Sequence, residues 1–372
     1  MTSNEFFKRI ETQYQNNLPF VVYRKPNEAS VFAMLQKDDK LHFTSNFTEK
    51  GFVFSPFENL NESVLIPTDA SEYLESETDF PDLNSVENSI DSSNTSEENH
   101  HLKLVEKSVK AIKSGAFKKV VVSRAEAIQL DEPNPFLIFK RLVHKYKSAF
   151  AYCWFHPKVG LWLGATPETL MKIEGANFSI MALAGTQEYK REGKVVWQDK
   201  EKEEQQFVTD FIVEQLKPWV SNCKISDVET VKAGNLLHLK TMINARLKPE
   251  IPLKNIIESI HPTPAVCGLP KAKTKTFILE NENYNRAFYT GFLGELNFET
   301  IAKPRSGKRN IENRAYAIPK KSTQLYVNLR CMQIQNNKAI VYVGGGITET
   351  SVPENEWQET VFKSKVIKNV LS

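Results

Sequence analysis

Apolar positions recur along this chain with two different periods. From 101 to 114 they return every three or four residues, which predicts a helix, and Gly115 stands where such a helix stops. The next run, KVVVSRAEAIQL from Lys119, is β-branched and strand-like. PFLIFKRLVHKY, beginning at Pro135, reads as a Pro-started helix. AFAYCWFH and VGLWLGAT read as paired strands, followed by ETLMKIEG and NFSIMALAGT. The 200–216 stretch predicts a long amphipathic helix, 324–346 a β-hairpin turning at Asn336-Asn337, and 354–371 a final helix. Strands grouped in hairpins, with helices between the groups, predict an antiparallel α+β fold rather than a doubly wound sheet.

Composition narrows the class. The 372 residues are 41% hydrophobic and 25% charged, which describes a globular protein with a large core. A formal charge of +3 argues against a nucleic-acid-coating protein, and 23 Phe, 11 Tyr and 5 Trp argue against disorder throughout. No apolar run approaches the roughly 20 residues that span a bilayer, and MTSNEFFKRIETQYQ lacks a secretory pattern. Cys153, Cys223, Cys267 and Cys331 have neither CxxC nor zinc spacing, so they read as reduced thiols of a cytoplasmic protein.

Two local imbalances hide in that balance. Residues 72–98 hold nine acidic side chains and no Lys or Arg; the second half of this stretch is expected to be a mobile loop, in preference to an acidic docking tail. Residues 303–321 hold seven Lys or Arg against Glu312 alone. With one aromatic, Tyr316, between two strand-like runs, they read as a solvated hairpin insertion rather than a phosphate-backbone site.

Alternation along the strand puts Lys119, Val121 and Ser123 on one face and Val120, Val122 and Arg124 on the other. A lysine at a strand end ordinarily reaches back to solvent, but a buried one can take a proton near neutral pH. Glu168 follows Pro167, which forbids an ordinary ladder bond, so it sits where a strand breaks. It is either a turn carboxylate in water or an acid held beside a pocket. On the 200–216 helix the stripe Phe207, Val208, Phe211, Ile212, Leu216 includes Glu204 and excludes Glu203. A carboxylate on a buried face needs a protein cation or a metal, and periodicity alone does not choose between them. Glu356, Glu359, Lys363, Val366 and Val370 form one stripe of the last helix, just after Gly344-Gly345-Gly346, where backbone N–H groups can approach an anion closely. Oxygen ligands without clustered His or Cys suggest Mg²⁺, whose shell is completed by water and an oxygen-rich anionic substrate.

An ordered set of motifs then comes into view: 119–124 (KVVVSR), 164–168 (GATPE), 183–186 (LAGT), 202–204 (KEE), 237–239 (LHL), 261–265 (HPTPA), 286–291 (RAFYTG), 328–330 (NLR), 344–347 (GGGI) and 356–360 (EWQET). Over residues 100–372 the chain resembles the chorismate-utilising enzymes, the family of isochorismate and salicylate synthases and the large subunits of anthranilate and aminodeoxychorismate synthases. The resemblance implies their fold, large antiparallel sheets packed with helices in a layered sandwich. Residues 1–70 would complete the sandwich, 71–100 would be an acidic, partly disordered loop, and 101–372 the catalytic core.

The resemblance also implies roles. Lys119 would activate water and Glu168 would be the general acid. Glu204 and Glu359 would hold Mg²⁺, with Glu201 and Glu356 as water-mediated or outer partners. Gly185, His238, Arg330, Gly344, Gly346 and Lys363 would line the chorismate pocket, Arg330 and Lys363 holding carboxylates. Ammonia-using members usually carry Gln at the position of Lys119, so lysine implies water as nucleophile and no glutaminase partner. The 261–268 segment most resembles isochorismate synthases; salicylate synthases, which go on to expel pyruvate, are the nearest alternative. Asp is common where Glu201 stands. The expectation is a monomeric, Mg²⁺-dependent cytoplasmic isomerase of chorismate, touching neither nucleic acid nor membrane.

Overall fold

A computed structural model describes residues 1–77, 95–131, 133–189, 195–233, 236–301 and 319–371. The chain opens with α1 (Ser3–Gln15), β1 (Phe20–Arg24), β2 (Ser30–Gln36), β3 (His42–Thr44), β4 (Gly51–Ser55), β5 (Ser63–Pro67) and β6 (Ser71–Glu77). It continues through α2 (Thr95–Lys113), β7 (Lys119–Gln129), α3 (Pro135–Lys145), β8 (Phe150–His156), β9 (Gly160–Thr166), β10 (Thr169–Glu174) and β11 (Asn177–Glu188). Next come α4 (Asp199–Leu216), β12 (Val220–Ile225), β13 (Glu229–Ala233), β14 (Leu236–Leu247), α5 (Leu253–Ile260), β15 (Gly268–Leu269) and α6 (Lys271–Asn281). It ends with β16 (Phe292–Ile301), β17 (Pro319–Val327), β18 (Cys331–Gln335), β19 (Lys338–Ile347) and α7 (Pro353–Lys368).

The strands form two antiparallel sheets. One runs β15-β7-β19-β18-β9-β8-β1-β2-β6; the other runs β12-β14-β11-β10-β17-β16-β4-β5-β3, with β13 on β14. Strand alternation explains their stacking. On β8, Phe150, Tyr152 and Trp154 join Phe52 and Phe54 of β4 and Tyr326 of β17 in a core between the sheets. Ala151, Cys153 and Phe155, pointing the other way, pack with Phe6, Phe7 and Phe139 of α1 and α3 and Ile367 of α7. On the far side of the second sheet, Ile180, Leu325 and Val327 meet Val208, Ile212 and Ile257 of α4 and α5. The result is helix, sheet, sheet, helix: the α+β sandwich expected.

Two expectations change. β17 lies in the second sheet and β18 in the first, so only 331–347 forms the hairpin at Asn336-Asn337, and 328–330 is a crossing between sheets. Within the stretch expected as an acidic loop, 71–100, Ser71–Glu77 is a strand on β2 and Thr95 begins α2, while 78–94 lie outside the described residues. Alternating exposure along β6, with Leu74 buried, allows a strand despite its acidic residues. Most of the basic 303–321 stretch lies outside the described residues, though its flanks pair as a hairpin at Ile301 and Pro319. No described helix is long and apolar enough to cross a membrane.

Candidate active site

β7 brings Lys119 fully inside, with 0% exposure. β15 passes so close that a Cβ on Gly268 would stand 2.4 Å from the Lys119 carbonyl, and φ there is +140°. On its other edge β7 pairs with β19, which sets Gly346 opposite Val121 and Gly344 opposite Ser123. The three glycines lie within the strand rather than in a turn. At Gly344 and Gly346 the lack of a side chain permits close approach, whereas a Cβ at Gly345 would make only ordinary contact. A Cβ at Gly346 would come 2.5 Å from Glu204 Oε1 and 3.1 Å from Lys119 Cε. One at Gly345 would stand 3.6 Å from Glu356 Oε2 and 3.7 Å from Glu359 Oε1.

Each of these carboxylates has its own lysine. Glu204 of α4 meets Lys119 at 2.8 Å. Glu356 meets Lys200 at 2.6 Å, and Glu359 meets Lys363 at 2.5 Å. Lys363 also donates to the Gly344 carbonyl at 3.0 Å. Burial pushes the Glu204 carboxyl up, but Lys119 beside it prevails and leaves it below the usual range. Glu356 goes the other way, raised by burial and by Glu359 against the pull of Lys200, and its Oε2 has no hydrogen-bond partner.

Across the same space stands Glu168, between β9 and β10 and 3% exposed. Its backbone carbonyl accepts from the Val327 N–H at 3.0 Å, tying the break at Pro167 to the neighbouring strand. Burial raises its carboxyl to about 8, against the opposing charges of Lys119 and Arg330. It is therefore a protonated acid at neutral pH. His238 of β14 sits at a bulge between β11 and β14, near Gly185 with φ +69°. Its Nδ1 lies 2.9 Å from the Gly185 carbonyl, which can only accept, so Nδ1 carries the proton. Burial and Arg330 lower this imidazole to about 3, and its Nε2, without a partner, remains an acceptor. Arg330 occupies the crossing between sheets with φ +49°. Asn328 holds that crossing by donating to the Phe288 carbonyl at 2.9 Å and accepting from the Tyr152 hydroxyl at 2.6 Å. The Arg330 guanidinium has no hydrogen-bonded or ion-paired partner among the described residues.

These groups face one common cavity, lined by Glu168, Gly185, Glu204, His238, Arg330, Gly344, Gly346, Glu359 and Lys363 among others. Its lining of convergent charged and polar groups suits a small polar anion. The chorismate binding enzyme family model matches residues 33–302, and a second model of the same description matches 315–369. The chain belongs to the chorismate-binding enzyme family. Among its relatives, the isochorismate synthase MenF of Pasteurella multocida is 28% identical over 280 residues, 72% of this chain and 60% of that protein. The salicylate biosynthesis isochorismate synthase of Pseudomonas aeruginosa is 27% identical over 277 residues, 72% of this chain and 54% of that protein. The chain thus spans well under two thirds of these relatives' own length. MenF from Escherichia coli, the menaquinone-specific isochorismate synthase, shares the fold with TM-score 0.76 at 18% identity, covering 97% of this chain and 90% of that one.

For a chorismate-binding enzyme, the sequence-derived residues fall into three groups. Glu168, Glu204, Glu359 and all six pocket candidates line the cavity. Lys119 does not; it lies one layer behind, beneath the Glu204 carboxylate. Glu201 and Glu356 are also off the wall. Glu201 accepts from the Gln198 N–H at 2.9 Å, so its carboxylate serves the start of its own helix. Lys200 was not anticipated, although its i,i+4 spacing from Glu204 places both on one helix face.

The carboxylates fit a hard divalent cation. Glu356 Oε2 is buried without a partner, and both it and Glu359 Oε1 face Gly345 of β19. Among the described residues no three such side chains form a ready cage, because lysines hold the carboxylates instead.

Proposed function

We propose that this chain is an isochorismate synthase, a cytoplasmic, Mg²⁺-dependent isomerase that interconverts chorismate and isochorismate. One observation carries the reading: a carboxylic acid kept protonated to about pH 8, Glu168, stands on the cavity wall, and a base candidate, Lys119, lies buried directly behind Glu204 of the same cavity. The reaction requires that pair. Water adds at C2 of the ring while the C4 hydroxyl leaves, and the double bonds shift between them. Lys119 takes the proton from the attacking water, and Glu168 gives its proton to the departing hydroxyl. Glu168 then ends as the carboxylate, ready to act as base in the reverse direction. Lys119 reaches the cavity once Glu204 turns from it toward Glu359. Arg330, unpaired and forked, is the best-placed anchor for a substrate carboxylate, and His238 Nε2 can accept from a ring hydroxyl. Lys363, already bonded to Glu359 and Gly344, would share its charge. Magnesium, held by Glu204 and Glu359 with Glu356 in reach, would supply a hard cation to orient the ring carboxylate.

The test is chromatography of chorismate incubated with the protein and Mg²⁺. The expected product is a mixture of chorismate and isochorismate, reached from either compound. Stoichiometric pyruvate with fluorescent salicylate would make it a salicylate synthase, and an aminated product on adding ammonia would place it with the aminating enzymes. An unchanged chorismate peak would remove the proposal.

A further inference from the structure

Arg286 lies between α6 and β16, outside the cavity lining and 3% exposed, yet each of its five N–H groups is used. Two go to Glu282, from Nε at 2.8 Å and Nη2 at 2.6 Å. The other three go to the Val121 carbonyl at 2.7 Å, the Val266 carbonyl at 3.0 Å and the Thr290 hydroxyl at 3.2 Å. Val121, Val266 and Thr290 all line the cavity. Glu282 Oε1 in turn accepts from the Ser123 N–H and hydroxyl, both at 2.7 Å.

Sheet geometry shows what this ion pair replaces. In a strand, the N–H and C=O of one residue point to the same side. The Val121 N–H donates to the Cys267 carbonyl at 2.8 Å, so Val121 and, two residues on, Ser123 turn their backbone groups toward β15. But β15 is two residues long, and the Cys267 N–H is committed to the Thr263 carbonyl at 3.0 Å. Among the described residues no strand remains to serve the Val121 carbonyl or the Ser123 N–H. Arg286 donates to the first, and Glu282 accepts from the second.

We infer that the Arg286–Glu282 pair is a side-chain substitute for a missing edge strand, and that Arg286 is a positioning residue for Lys119, two residues from Val121. This rests on the proposed function only where Lys119 is the base. The pair fixes the β7 backbone laterally, and through Val266 and Thr290 it fixes the facing wall to the same frame. Lysine at 286 could keep the charge but cannot serve all four acceptor groups, since its donors radiate from one nitrogen.

The experiment compares wild type, Arg286→Lys and Glu282→Gln in two measurements. Steady-state kinetics on chorismate should show kcat falling about tenfold or more in Arg286→Lys with KM within about threefold, because the base acts in the transition state. Residue-resolved hydrogen exchange should show the Ser123 amide exchanging about tenfold faster, while Val120 and Val122, whose amides face β19, keep their protection. A folded Arg286→Lys enzyme with wild-type kcat overturns the positioning role. Unchanged Ser123 protection overturns the edge-strand role. If wild type does not convert chorismate, the functional reading fails, and the amide measurement still decides the structural claim. If Arg286→Lys does not fold, Glu282→Gln, which keeps one acceptor oxygen and loses the charge, is expected to show both effects more weakly; neither effect in it overturns the inference.

Discussion

Glu204 covers Lys119: its Oε1 stands 2.8 Å from the ammonium nitrogen, between that nitrogen and the cavity. One carboxylate therefore has two possible partners, the lysine behind it and a cation in front. As long as it holds Lys119, the lysine is kept from water in the cavity. The proposed chemistry, with Lys119 as base, requires the contact to open.

Lys119→Ala is expected to lower kcat by about 10²–10⁴-fold, the usual contribution of a positioned base. Chorismate binding should change little, because the lysine is not part of the cavity wall. Calorimetry and rate measurements on the same preparation check both statements. A variant with near-normal kcat would end the assignment.

As the proposed general acid, Glu168 would need its proton, so forward turnover should fall as pH rises through about 8. The same burial bears on stability. The native state binds a proton that the unfolded chain releases near its ordinary value, so Glu168's contribution to stability is full at low pH and declines with rising pH until about 8. Glu168→Gln should thus be inactive yet melt at a higher temperature than wild type at pH 8. A lower melting temperature would contradict the buried-acid account.

Lys200 competes with any cation for Glu356. Lys200→Met is expected to bind Mn²⁺, used as a spectroscopic stand-in for Mg²⁺, several-fold more tightly by electron paramagnetic resonance titration. Glu204→Gln and Glu359→Gln should each weaken it about tenfold or more, since each removes a charged oxygen donor. Equal affinity in all four proteins would place the cation elsewhere, and activity indifferent to EDTA would dispense with it.

His101, His238 and His261 are buried and lowered to about 4, 3 and 3, chiefly by desolvation. The unfolded chain takes up their protons below about 6.5, so their contribution is present above that value and lost as pH falls. Glu168 slopes the opposite way. For these four groups together, stability should peak near pH 6.5 in urea titrations. His261 stacks edge-on against Phe292 at 5.0 Å, so His261→Phe should flatten the acid side. An acid limb unchanged by that substitution would refute its share.

Local periodicity made much of this legible. The strand at Lys119, the stripe that turns Glu204 inward and the one that aligns Glu356, Glu359 and Lys363 follow from residues a few positions apart. The choice between protein cation and metal for Glu204 did not, because Lys119 reaches it through tertiary packing. The crossing at 328–330 was hidden too: it has no Gly or Pro, and Arg330 takes a positive φ that sequence gives no reason to expect. The Arg286 network was equally out of reach, since two of its acceptors are main-chain carbonyls distant in sequence.

The pairing of β7 with β19 also governs the order of events during synthesis. Glu204 leaves the ribosome well before Lys338–Ile347, so the lysine can find its counter-charge while the inner edge of its strand still lacks a neighbour. Val120 and Val122 would then present an apolar, unpaired edge to other nascent chains. Closing so distant a contact is slow. Chaperone engagement is expected to be heaviest in the interval between emergence of α4 and emergence of β19.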